Sequence, residues 1–350
     1  MKVIKSTMVF GAVICLVAMV LFSACERKIT NVIKDESPAG CFGCHSDEDT
    51  RLVSAEGQWQ NSVHASGANT DRNYSSCVYC HTSQGFVAKA EGLSEFDASN
   101  PSAIHCFTCH APHSEGDFEL RVTEAQTLQN GESFDLGAAN ICVSCHQSRR
   151  NVNTYTVEED ELSEHWGPHH SPQGDMLIGT NGYEFDFYGT YPKSLHRGIT
   201  ENGCLDCHMS AGNYFLGGHS FNMEFAAGEE EEYNLSGCDA TDCHDGAFGD
   251  LEDGFNLPYA GTTTGIQDTV MVLVEELRGL LQSANLLTTG DDPHPVEDRL
   301  VASTDSLGAV WNYMLIEEDR SHGIHNPKYA VALLRSAIQF MSQQPTVSRR

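Results

Sequence analysis

The chain has 350 residues and is strongly acidic, with 49 Asp and Glu against 20 Lys and Arg and a formal net charge of −29 at pH 7. Such a surface repels a phosphate backbone, which excludes nucleic acid as a partner. The acidic run at 229–232 is interpreted as a solvated loop, although a basic partner protein can be steered to an acidic face.

The first 24 residues have the pattern of an export signal. Lys2 and Lys5 precede an apolar run over residues 8–22, which is too short to favour a membrane span. The sequence LFSAC ends at Cys25 and resembles the lipobox of bacterial lipoproteins. That resemblance implies an acylated Cys25, a membrane anchor of lipid, and an outer-membrane lipoprotein facing the periplasm or the cell surface. Plain secretion is the alternative, and residues 25–39 are assigned as a linker.

Cysteine usage is unusual for an exported chain. Apart from Cys15 and Cys25, the fourteen cysteines fall into six pairs, and each pair is followed at once by a histidine. Five pairs have C-x-x-C-H spacing, whereas the sixth, CDATDCH, has four residues between its cysteines. The paired residues are Cys41 and Cys44, Cys77 and Cys80, Cys106 and Cys109, Cys142 and Cys145, Cys204 and Cys207, and Cys238 and Cys243. No cysteine is left for a long-range disulfide, so another group must occupy these thiols.

C-x-x-C-H is the attachment motif of c-type haem. Its thiols form thioethers with the two vinyl groups at one porphyrin edge, and the adjacent histidine binds the iron from one face. At this chain's cysteine and histidine frequencies, about 0.03 copies are expected by chance. Zinc is the alternative, but zinc clusters combine two such pairs and need no histidine after each one. The histidines predicted to bind iron are His45, His81, His110, His146, His208 and His244.

The sixth motif keeps the step from Cys243 to His244, and its longer loop can bulge while it still presents both sulfurs. This C-x4-C-H form resembles one found in small tetrahaem cytochromes of the c3 type. The sequence therefore predicts six haem c groups, and a degenerate sixth motif without haem is the alternative.

Eleven histidines lie outside the motifs, and six are needed if every iron has two imidazole ligands. The predicted second ligands are His64, His113, His169, His196, His219 and His325. His170 remains an alternative to His169, and His322 remains an alternative to His325. Methionine ligation is a further alternative that would raise the potential. The candidate methionines are Met176, Met209 and Met223.

Two regions follow from the patterning of the chain. Residues 40–250 contain the six motifs and are rich in Gly, Ser, Asn and Asp, so porphyrin faces are expected to supply the apolar core and to lie in close contact. Residues 251–345 have helical periodicity and no motif. They predict one helix with Asp268 as N-cap, a second over 304–318, and a third that Asn326 caps. This C-terminal region is expected to pack against the haem region or a second subunit.

The six motifs, GGHSF and the ending SHGIHNPKYAVALL together resemble multihaem c-type cytochromes of the nitrite-reductase and hydroxylamine-oxidoreductase superfamily. More closely, they resemble the non-catalytic electron carriers among its relatives, over most of residues 40–340. The resemblance implies a mainly α fold with extensive coil, in which haems form the core beside a C-terminal helical region. It also favours His325 over His322, because in relatives ending in G-x-H-N-P the histidine before Asn is the ligand.

Three functions remain at this stage. The first is electron transfer at the outer membrane, cell surface or periplasm, with redox proteins or other multihaem cytochromes as partners. The second is a haem reductase for nitrite, hydroxylamine or a sulfur oxyanion, which needs one iron without a sixth protein ligand. Pentahaem nitrite reductases typically carry one C-x-x-C-K motif, whereas every motif here ends in His, which weakens the enzyme hypothesis; no catalytic residue is assigned. The third is a homo-oligomeric subunit of an extracellular cytochrome filament.

Overall fold

The computed structural model describes residues 50–66, 70–93, 99–115, 118–157, 160–210, 212–227, 230–239, 243–245, 247–248, 254–259 and 262–344. The first motif, with Cys41, Cys44 and His45, lies outside these residues. The export signal and Cys25 lie outside them as well.

The described residues are rich in helix, but most of the helices are single turns. They are α1 Thr50–Gln60, α2 Val63–Ser66, α3 Val78–His81, α4 Ser83–Ala90, α5 Cys106–Cys109, α6 Pro112–Glu115, α7 Asn140–Val143, α8 Val152–Tyr155, α9 Gln173–Ile178, α10 His196–Ile199, α11 Cys204–His208, α12 Ile266–Ser283, α13 Thr304–Asp319 and α14 Pro327–Met341. The predicted class, mainly α with extensive coil, is confirmed in this coarse form. Within the described ranges, no helix is both long and apolar enough to cross a membrane.

Strands are short and pair only in twos within the described part of the chain. They are β1 Gln126–Thr127, β2 Ser133–Phe134, β3 Asp160–Leu162, β4 Glu224–Ala227, β5 Glu230–Tyr233 and β6 Arg299–Val301. The antiparallel pairs are β1 with β2, β3 with β6, and β4 with β5. The second pair joins the motif region to the C-terminal region, with Asp160 opposite Val301.

The three long C-terminal helices pack on one another, and α13 and α14 begin at side-chain caps from their own flanks. The Ser303 side chain accepts a hydrogen bond from the Ser306 N–H at the start of α13. Asn326 caps α14 by accepting from the Tyr329 N–H, and Pro327 occupies the first turn, as the sequence predicts.

The prediction that Asp268 is the N-cap of α12 is wrong. The helix begins at Ile266, and Asp268 lies in its first turn. The Asn256 side-chain oxygen accepts hydrogen bonds from the Gln267 and Asp268 N–H groups, at 3.0 and 3.3 Å. A residue from an earlier loop therefore satisfies the free amides, so the helix needs no cap from its own flank.

The main apolar core lies around α13 and α14 and includes side chains from the motif region. The rings of Trp166 and Trp311 cross at 88° with centroids 6.1 Å apart, and both side chains are fully buried. Trp311 Nε1 donates to the Asn181 carbonyl oxygen at 2.7 Å. A second, smaller cluster around Phe134 and Val143 supports the fourth motif.

Candidate functional site

Each of the four regular motifs that the structure describes folds into or beside one helical turn. The second, third and fifth motifs lie at α3, α5 and α11, and the fourth continues from α7. In a helix, residues i, i+3 and i+4 lie on one face. The fifth motif is helical throughout, so its spacing places Cys204, Cys207 and His208 on one side of α11.

The five described motif histidines each face a histidine from outside the motifs. The ring centroids are separated by 6.4 Å for His81 and His169, 6.4 Å for His110 and His219, 6.1 Å for His146 and His64, 6.3 Å for His208 and His325, and 6.1 Å for His244 and His196. We call these pairs, together with their motif cysteines, sites 2 to 6 in the order of their motifs.

The separation within each pair fits one iron between two imidazoles. A metal–nitrogen bond measures about 2.0 Å and the ring centre lies about 1.1 Å beyond that nitrogen, so two imidazoles on opposite sides of one iron have centroids about 6.2 Å apart. All five observed values, from 6.1 to 6.4 Å, match this distance. Neighbouring surface histidines have no reason to share one spacing.

Hydrogen bonds hold many of these rings in one tautomer. Nδ1 contacts an oxygen in six of the ten histidines: His110 to Phe118 O at 2.5 Å, His146 to Gln173 Oε1 at 3.1 Å, His169 to His170 O at 3.1 Å, His196 to Ile324 O at 3.0 Å, His208 to Phe221 O at 2.9 Å, and His325 to Asp319 Oδ1 at 2.7 Å. A carbonyl oxygen only accepts, so Nδ1 carries the proton and Nε2 keeps the lone pair that a metal needs.

Burial favours the neutral, metal-binding form of most of these imidazoles. It lowers the pKa of His64 to about 4, with a further contribution from nearby His146. Burial is also the largest cause of a lowered pKa at His81, His146, His169, His196, His208 and His219. Burial acts to lower the pKa of His325 as well, but the Asp319 carboxylate opposes it and raises the net pKa to about 8.

Thiols from different motifs lie close together, which shows which sites are neighbours. The ten described motif cysteines are free. The thiols of Cys80 and Cys145, of Cys142 and Cys204, and of Cys207 and Cys238 lie close enough to shift each other's pKa values. These contacts place site 2 beside site 4, site 4 beside site 5, and site 5 beside site 6.

Site 3 adjoins site 2 through side-chain hydroxyls rather than through its thiols. Thr108, inside the third motif, donates to the Ser83 hydroxyl that follows the second motif, at 2.6 Å. Site 3 also lies near site 4, because the Phe221 ring contacts the rings of both His219 and His64.

Large apolar side chains stand exposed beside the histidines of these sites. Val63 precedes His64 and is 71% exposed, while Leu195 precedes His196 and is 72% exposed. Ile199, on the same turn as His196, is 54% exposed. A flat apolar ring held by the facing histidines would cover such side chains, so the surroundings as well as the donor set fit a porphyrin.

The structure distinguishes the members of the two histidine pairs that the sequence leaves as alternative ligands. His169 faces His81, whereas its neighbour His170 binds Glu318 through Nδ1 at 2.7 Å. His325 faces His208, whereas His322 is an exposed residue of the loop before α14.

The other candidate ligands lie outside the five histidine pairs. His113 lies in α6, and its ring centroid is 5.3 Å from that of Phe107. Its assignment as a second ligand stays a prediction, as do the roles of Cys41, Cys44, His45 and Cys25, which lie outside the described residues. Met176 is fully buried in the main apolar core.

The sequence does not identify the side chains that contact Nδ1 of the paired histidines. Gln173 and Asp319 contact the Nδ1 atoms of His146 and His325, yet neither belongs to a motif. The sequence also does not reveal which distal histidine serves which motif. His64 precedes the second motif but faces the histidine of the fourth.

Comparison with solved structures finds two cytochromes. The outer cell wall cytochrome OcwA is 20% identical, with a TM-score of 0.43, and the match covers 81% of this chain and 49% of that one. The undecahaem cytochrome from the S-layer of Carboxydothermus ferrireducens is 19% identical, with a TM-score of 0.45, and the match covers 82% and 41%. This chain therefore spans less than half of either neighbour. No family model and no curated protein matches the sequence.

Proposed function

We propose that this chain is a multihaem c-type cytochrome that carries electrons through six haem c groups, each held by two thioethers and two histidines. The observation that carries the proposal is the set of five histidine pairs with centroid separations of 6.1 to 6.4 Å. Each pair combines a motif histidine with one from elsewhere, which is the arrangement that bis-histidine ligation requires.

The assigned ligands are His81 with His169, His110 with His219, His146 with His64, His208 with His325, and His244 with His196. Haem iron ligated in this way supplies reversible one-electron chemistry and offers no open position to a substrate. The protein's own contribution is to fix most of the rings through Nδ1, to keep most of the imidazoles neutral by burial, and to hold the sites close together.

The proximity of the sites supports electron transfer between haems rather than a reaction at a single haem. The proximity of Cys80 to Cys145, Cys142 to Cys204 and Cys207 to Cys238 brings the attachment points of neighbouring motifs together. Haems held by these cysteines and the paired histidines would lie close enough to one another to pass electrons across the motif region. The haems would also supply its core, since the second apolar cluster is small.

Location and partners are proposed from the sequence. The lipobox-like LFSAC supports an exported lipoprotein anchored by lipid at Cys25, with another cytochrome or redox protein as its partner. A homo-oligomer is compatible with this role. His113 and His45 are proposed as iron ligands on the basis of the sequence alone.

The proposal is tested by haem quantification and electron paramagnetic resonance of the purified oxidised protein. Six haems per chain by pyridine haemochrome, all low-spin, are expected. A stoichiometric high-spin signal that shifts on addition of nitrite or cyanide would instead show an open iron and favour the reductase. Fewer than five haems per chain would overturn the assignment of the described sites.

A further inference from the structure

One of the five described sites differs from the others in what stands behind its iron-facing imidazole. Among the histidines of these sites, the oxygen that contacts Nδ1 is a backbone carbonyl at His110, His169, His196 and His208 and a side-chain amide at His146. At His325 it is the carboxylate of Asp319, at 2.7 Å.

The structure fixes this carboxylate in place. The Asp319 side chain is only 1% exposed and lies at the C-terminal end of α13. Its second oxygen, Oδ2, accepts from the Ser321 hydroxyl, and the Ser321 oxygen in turn accepts from the His325 N–H at 3.3 Å. Asp319, Ser321 and His325 therefore form a closed ring of hydrogen bonds in the loop between α13 and α14.

A buried carboxylate hydrogen-bonded to a ligating imidazole draws the Nδ1 proton toward itself and makes the imidazole a stronger electron donor to the metal. Reduction adds one electron to the site, and both the donor strength of the ligand and the fixed negative charge oppose that addition. A carbonyl or amide oxygen has a smaller effect because it carries no net charge.

We propose that Asp319 is a positioning residue that makes site 5, the haem attached at Cys204 and Cys207, the lowest-potential haem among sites 2 to 6. The inference rests on the proposed function and deepens it. Site 5 adjoins both site 4 and site 6 through its cysteines, so the lowest potential falls between two neighbouring sites. In partly reduced protein, electrons would therefore occupy the sites on either side of site 5 before site 5 itself.

The test is a redox titration followed by optical and electron paramagnetic resonance spectra on the full-length holoprotein. Asp319→Asn keeps the size of the side chain and an acceptor for His325 but removes the charge. We expect the lowest-potential component to move upward by at least a tenfold change in its reduction equilibrium, which is 59 mV for a one-electron couple. Its low-spin signal should shift at the same time, while the other components stay in place.

A second variant changes the same carboxylate and should shift the potential of site 5 in the opposite direction. Ser321→Ala removes the hydroxyl donor to Asp319 Oδ2 and leaves the carboxylate a stronger acceptor for His325. The lowest-potential component should therefore move downward. A merely structural loosening of the loop would move both variants the same way, so shifts of opposite sign distinguish tuning from packing.

Asp160→Asn is the matched control. Its carboxylate accepts from Trp166 Nε1 at 2.7 Å and contacts the core rather than a histidine of any site. It should leave every component in place. If Asp319→Asn fails to incorporate haem, Ser321→Ala alone still decides the matter, because no shift or an upward shift would overturn the inference.

Failure of the inference is distinguishable from failure of the proposed function. Wild-type protein without six low-spin haems would contradict the function itself. Six low-spin haems with an unshifted lowest component in Asp319→Asn would contradict only the role of Asp319.

Discussion

His196 faces His244 with 6.1 Å between their ring centroids, although His196 precedes the fifth motif and His244 completes the sixth. His196 Nδ1 donates to the Ile324 carbonyl oxygen at 3.0 Å, so the loop before α14 fixes the orientation of this ring. Site 6 is thus assembled from three separate parts of the chain. It is also the site with the unusual four-residue spacing.

Replacement of His196 by alanine should open one iron. We expect His196→Ala to convert one low-spin haem of six to the high-spin form, and added imidazole should restore the low-spin form. Electron paramagnetic resonance with and without imidazole measures both effects. The half-buried His294, whose Nδ1 contacts Pro295 O, supplies the control: His294→Ala should leave all haems low-spin.

Adjacent histidines at 169 and 170 should behave differently. His169→Ala removes the ring that faces His81, so one high-spin haem should appear. His170→Ala removes a contact with Glu318 on the surface and should leave the spin state unchanged. A high-spin haem in the second variant and none in the first would mean that the neighbouring residue is the ligand.

The sixth motif should carry haem despite its longer loop. Intact mass of Cys238→Ala with Cys243→Ala should decrease by one haem relative to wild type, beyond the change of the side chains. The same double change at Cys142 and Cys145 should also remove one haem, because it deletes a regular motif. Equal haem content in wild type and the first variant would show that the sixth motif is degenerate.

Asp175 should make the fold less stable as pH rises. Burial raises the pKa of its carboxyl from 3.8 to about 6, even though Oδ2 accepts from the Ser148 N–H at 2.7 Å. Between these values the folded state holds the proton that the unfolded state has released, so stability falls from about pH 4 to about pH 6 and stays lower above it. Ionisation of the buried Asp175 carboxyl lowers the free energy of unfolding by about 3 kcal/mol at neutral pH, since each pKa unit corresponds to about 1.4 kcal/mol.

Asp175→Asn keeps an acceptor for Ser148 and removes the charge. Denaturant unfolding followed by circular dichroism should show a variant that is more stable than wild type at pH 7 and close to it at pH 4. A difference that is constant across this range would assign the effect to packing instead of ionisation.

The sequence predicts the parts of this molecule that depend on local chemistry. Asn326 and Pro327 correctly predict the start of the third C-terminal helix, because a cap and a first-turn proline act within a few residues. Asp268 does not mark the start of the first, because the cap comes from Asn256 in a distant loop. Local signals do not contain that contact.

The same division applies to the sites. The motif residues and the candidate distal histidines can be named from spacing and number alone. The motif histidine that each distal histidine faces cannot be named in this way. His64 precedes the second motif but faces the fourth, and His325 follows α13 in the chain but faces the fifth. Asp319 has no sequence signal at all, because an aspartate six residues before a histidine is common and only the turn of the loop brings the two together.

The thiol contacts between motifs also constrain how the molecule is made. A chain that folded in an oxidising compartment before haem attachment would hold Cys80 against Cys145 and Cys142 against Cys204, ready to form disulfides. Each such bond would remove attachment points from two motifs at once. Peptide mapping of protein produced without haem attachment should recover these cross-linked pairs. The proposed haems would therefore have to be attached while the polypeptide is still reduced and open, before it reaches its final fold.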